Sequence, residues 1–196
     1  MDIISGIKSE VIQPLATLVV PGCVAVGPYI LVAKHHIPKI VEFWEKYPSA
    51  FTVIVLVIVI ALGMLLEDIG TYIESRFWDK RLSKRDPDHD DSWDKYLKLK
   101  TKDEYVGQRY LRTILVRMKF ELAMVPSTIL CCLGLSWVNK IYHVWHWFGG
   151  YLFITVVLLA IAGYLFYESR NSAEVLAKTR KKLIQAIQEE KAQTKL

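Results

Sequence analysis

The stretch from Ala50 to Leu66, AFTVIVLVIVIALGMLL, holds no charged residue and a single hydroxyl. A surface helix of a soluble protein keeps a polar face, and this run has none over a length that can cross hydrocarbon, so it reads as a helix dissolved in lipid. EDIGTYIESRFWDKRLSK follows without a breaker, with Ile69, Ile73 and Phe77 at helical spacing. The pattern therefore predicts one long rod whose far part stands in water.

Three further apolar runs, Ile12 to Ala33, Leu122 to Val138 and Tyr151 to Tyr167, accompany it in a chain of 196 residues that is 53% hydrophobic. The expected fold is an all-α integral membrane protein with four transmembrane helices. Spans two and three are extended into a cytoplasmic antiparallel helical hairpin, because DEYVGQRYLRTILVRMKFELAM leads into span three with Val106, Tyr110, Ile114 and Met118 four apart. Four segments follow: residues 1–67 as a first hairpin with an outer interfacial helix, 68–121 as the cytoplasmic hairpin, 122–167 as a second transmembrane hairpin, and 168–196 as an amphipathic tail. In that tail Asn171 or Ser172 would cap a new helix, and Val175, Leu176, Leu183, Ile184 and Ile187 share one side.

Lys and Arg fix the expected orientation. Of the 25 in the chain, 21 fall in the opening residues, in 68–121 and in the tail, against 4 in the two loops at the other end. The positive-inside rule places both termini and the long middle segment in the cytoplasm of a plasma or inner membrane. No cleavable signal is expected, since the first eleven residues mix acidic and basic groups. The net charge of +5 is explained by this loop bias, and acidic groups among the basic ones argue against a nucleic-acid groove.

Span one contains Pro14, Pro21 and Pro28, with Gly22 and Gly27 beside the last two. Proline removes a helical hydrogen bond, so Pro21-Gly22 and Gly27-Pro28 are two expected breaks, a hinge whose freed carbonyls need protein or water. With water, Thr17, Cys23, Ser127 and Thr128 would line the same cavity. Span three carries the small residues Ala123, Ser127, Cys131 and Gly134, and span four has Ala160, Ala162 and Gly163. Small residues let helices approach closely in lipid, which predicts self-association through these surfaces.

At the inner mouth, an antiparallel register sets Asp68 opposite Arg117 and Glu74 opposite Arg112, with Lys119 and Glu121 where lipid begins. Ionisable groups there are costly unless paired or wetted, so this cluster is either a structural clasp or a vestibule for ions. The Asp86 to Asp94 loop fails the calcium-loop pattern at its sixth and twelfth positions, Asp91 and Leu97. His35, His36, His143 and His146 lie in the outer turns among tryptophans, where an interfacial role is commoner than a metal site. No HExxH, GxSxG, P-loop, GxGxxG or CxxC motif is present, so no catalytic residue, metal or cofactor is assigned. The expected function is a non-catalytic, self-assembling membrane subunit, a sensor or anchor that offers residues 68–121 to a cytoplasmic protein partner. The alternatives are an oligomeric ion channel and a lipid-modifying enzyme.

Overall fold

A computed structural model describes residues 3–86, 92, 95–96, 106–143 and 148–193, with side chains described for 15–86, 92, 95–96, 108–143 and 150–189. The fold is all-α: α1 (Ile3–His36), α2 (Pro38–Lys46), α3 (Pro48–Ile73), a π-helical segment (Glu74–Asp79), α4 (Lys80–Arg85), α5 (Val106–Tyr142) and α6 (Phe148–Gln193). Four helices are long and apolar enough to cross a membrane, namely α1, the rod that begins with α3, α5 and α6. Pro38 and Pro48 open α2 and α3, where the missing amide hydrogen would have no helical partner.

The apolar half is built on α1, α3 and α5. Helix α1 runs antiparallel to α3, with Gly22 against Val59 and Leu18 against Gly63. A Cβ built on either glycine would strike the backbone of the facing helix, so the two main chains touch. Helix α1 runs parallel to α5, since Pro21, Tyr29 and Leu31 meet Ser127, Leu130 and Tyr142 in ascending order. Gly70 closes the third side against Leu122 and Ala123. Ala25, Leu66 and Ala123 fill the centre.

Several expectations are corrected here. Helix α1 passes through Pro21 and Pro28 without interruption, because neighbours secure it: the Ser127 hydroxyl donates to the Pro21 carbonyl at 2.6 Å, and Gly134 seats Pro28 and Tyr29. Gly27 lies open, with nothing near its missing Cβ. The stripe Ala123, Ser127, Gly134 is therefore occupied within the chain and is not a free oligomer surface, although Cys131 beside it stays half-buried. Cys23 is exposed on the bundle exterior, away from the buried Thr17, Ser127 and Thr128 with which a shared cavity was expected.

The tail is not a separate helix. Helix α6 is continuous for 46 residues, about 69 Å at 1.5 Å per residue, so less than half of it is needed to span hydrocarbon. Its buried positions Ser169, Ala173, Leu176, Arg180, Leu183 and Ile187 alternate steps of four and three, the heptad seam of a coiled coil. Asn171 and Ser172 lie inside the helix and cap nothing. The partner seam on α5 is Leu111, Ile114, Met118 and Glu121. Hence the main pairing beyond the apolar half is α5 with α6, and the extension of α3 joins it from the side. Among the described residues the main helix partner of α6 is α5, and Ala160 and Gly163 face outward while Ala162 is buried.

The π segment decides how the α3 extension joins. Val59, Gly63, Leu66 and Gly70 form the buried stripe of α3, and an unbroken α-helix would next turn Phe77 inward. The wider π turn holds one extra residue and advances the inward position to Trp78. Trp78 is accordingly buried among Leu111, Ile114, Met118 and Leu176, whereas Phe77 and Ile69 are exposed, against the expected Ile69, Ile73, Phe77 face.

Candidate functional site

The junction where α3, α5 and α6 leave the apolar half gathers most of the ionisable groups singled out in the sequence. Glu121 sits at a seam position of α5 and is 3% exposed. Its carboxylate accepts from Arg117 Nε at 2.7 Å, one helical turn away, and from the Ser172 hydroxyl of α6 at 2.9 Å. Arg117 also donates through its terminal nitrogen to Glu168 of α6 at 2.7 Å. One guanidinium thus bridges two carboxylates on two helices, and its planar fork suits that task better than an ammonium would. Beside it, Lys119 of α5 donates to Glu67 of α3 at 2.7 Å.

A second tie runs through the aromatic wedge. Trp78 Nε1 donates to Ser169 Oγ at 3.2 Å, and that hydroxyl donates to the Phe166 carbonyl at 2.8 Å. The Phe166 ring lies 5.0 Å from that of Trp78. Farther out, Arg85 pairs with Glu174 at 3.3 Å, and Asp86, the described member of the acidic loop, pairs with Lys181. The other acidic residues of that loop, His89 and His146 lie outside the described residues.

The predicted partners are redistributed. Asp68 is exposed, and Arg117 engages Glu121 and Glu168 in its place. Arg112 is exposed as well, and the charges acting on Glu74 are Asp79 and Lys119. Glu67, Glu168, Ser169, Ser172 and Trp78 were missed as site residues. The signal available was Glu168 to Ser172 continuing the register of span four, which the expected cap at Asn171 or Ser172 concealed.

Glu74 opens the π segment and is half-buried.

No family model, curated protein or solved structure matches the chain. Its function is therefore read from the geometry. At the opposite end of the bundle, His35 meets the Tyr142 ring edge-on at 5.4 Å, and Lys34 lies over the Trp44 ring at 5.6 Å. Among the described residues no group of three His, Cys, Asp or Glu could hold a metal ion. A groove of about 310 Å³ between α1 and α5, lined by Ala16, Thr17, Thr113, Val116, Arg117 and Phe120, is open and almost wholly apolar.

Proposed function

We propose that the chain is a non-catalytic membrane anchor or sensor subunit that holds a stiff helical module at a fixed attitude on the cytoplasmic side and offers it to a protein partner. The observation that carries this reading is the junction itself: three emerging helices are tied to one another by Arg117, Glu121, Glu168, Ser172, Lys119, Glu67 and Trp78. Its carboxylates are engaged by cations and a hydroxyl, which suits a clasp better than an ion vestibule or a general acid. Main-chain contact at Gly22 and Gly63 leaves no room for a pore between α1 and α3, so conduction by one copy is disfavoured. The lysine and arginine bias supports the N-in, C-in orientation.

Self-assembly stays within this reading, relocated to α6, whose outward Ala160 and Gly163 are open to a second helix. Purified protein in liposomes should show no ion flux under an applied potential or pH gradient. Sustained conductance would overturn the anchor reading in favour of an oligomeric channel. In a Cys23→Ser background, Gly163→Cys should cross-link between copies in native membranes, and failure to do so at any expression level would remove self-assembly through α6.

A further inference from the structure

The extension of α3 carries four cations, Arg76, Lys80, Arg81 and Lys84, within nine residues. All four are exposed, and none forms an ion pair with a described carboxylate, in contrast to Arg85, Arg117, Lys119, Arg170 and Lys181. The nearby acids are withdrawn: Glu74 and Asp79 are half-buried, and Asp86 is taken by Lys181. Two aromatic rings stand outward beside them, Tyr72 and Phe77, the second turned out by the extra residue of the π segment.

Depth selects the partner. From Tyr47 to Arg76 the rod rises about 43 Å at 1.5 Å per residue, close to the whole thickness of a bilayer with its headgroups, about 40–45 Å. Tyr72 and Phe77 then lie at the interface, where aromatic rings concentrate, and Arg76 lies at the phosphates. Lys80 and Arg81 are one turn farther, within reach of long side chains that bend back toward the surface. Lys84 is about 12 Å beyond Arg76, about one and a half Debye lengths at physiological salt, so it contributes least of the four.

We infer that Arg76, Lys80, Arg81 and Lys84, with the rings of Tyr72 and Phe77, form a docking surface for the anionic phospholipid headgroups of the leaflet into which α3 emerges. The cations supply the attraction, and the rings fix the depth at which it acts. This surface sets the attitude of the module from the membrane side, as the α5–α6 seam sets it from within. The inference rests on the chain spanning a bilayer and is independent of any protein partner.

The test uses the full chain reconstituted in phosphatidylcholine vesicles with spin-labelled phosphatidylglycerol or spin-labelled phosphatidylcholine, reading the motion-restricted fraction of each. The parent should prefer phosphatidylglycerol by at least about fivefold, the factor that one cation at a membrane surface contributes, and the preference should shrink in high salt. Arg76→Gln, Lys80→Gln, Arg81→Gln and Lys84→Gln combined should bring it near unity. Lys178→Gln with Lys182→Gln, on α6 farther from the membrane, should leave it unchanged, as should Arg76→Lys with Arg81→Lys. If the fourfold variant fails to incorporate, Arg76→Gln with Arg81→Gln should still lower the preference. A parent without preference, or Gln variants that keep it, would overturn the inference. A parent that does not float with the vesicles would refute the membrane reading itself.

Discussion

Gly63→Val is expected to destabilise the bundle by about 3 kcal/mol or more, at the upper end of what overpacking costs, because its side chain would meet the Leu18 carbonyl oxygen, its carbon and its Cα. Side chains can rotate away from an intruder, but helix backbone has nowhere to go, so α1 and α3 must separate along their whole crossing. Gly22→Ala attacks the same crossing from the other side through the Val59 carbonyl. Combined with Gly63→Ala it should cost less than the sum of the two, since the first substitution already parts the helices. Gly27→Ala is the internal contrast. Its missing Cβ meets nothing, so replacement should be neutral or stabilising by up to about 1 kcal/mol, the helix-propensity difference between the two residues. Unfolding in mixed detergent and dodecyl sulfate micelles separates these outcomes, and equal effects at Gly27 and Gly63 would refute the crossing.

Those two glycines also show where sequence reading stops. That four helices are apolar enough to cross a membrane was legible from uncharged runs alone, because lipid admits only self-bonded helices or closed barrels, and barrel strands alternate apolar with polar residues where these runs do not. Which small residues face which neighbour was not. Gly63 and Gly70 are spaced by seven on the buried stripe of α3, a signal present in the sequence, yet the more conspicuous prolines of α1 drew attention to a break that packing removes. The π segment was invisible for a different reason. ESRFWD has no composition that forbids an α-helix, and the extra residue is chosen by where the Trp78 indole finds both an apolar pocket and the Ser169 hydroxyl. Charge pairing followed the same logic: Asp68 and Arg117 are complementary on paper, but Arg117 lies beside Glu121 on its own helix and Glu168 on the helix that packs closest.

Arg117→Ala should be the costliest change at the junction, by about 3 kcal/mol, for a reason that its own exposure disguises. The Arg117 side chain is 58% exposed and its attraction is partly screened, so its direct loss is modest. Glu121 is the buried partner, and without the guanidinium its charge is left with the Ser172 hydroxyl alone, which falls at the lower end of the cost of an uncompensated buried ion. Glu121→Gln keeps the shape and an acceptor for Ser172 while removing the charge, and should cost less. Adding it to Arg117→Ala should recover stability, so the double variant is expected to unfold later than Arg117→Ala itself. A cycle on Asp68 and Arg117 should be additive to within about 0.5 kcal/mol, as for residues without a shared contact. Because Glu121 and Ser172 lie on opposite sides of the α5–α6 seam, Arg117→Ala should also loosen the extension of α6, read as faster amide exchange from Ser172 to Ile187. Additivity between Arg117 and Glu121, with coupling between Arg117 and Asp68, would reverse the assignment and restore a junction held by α3 and α5.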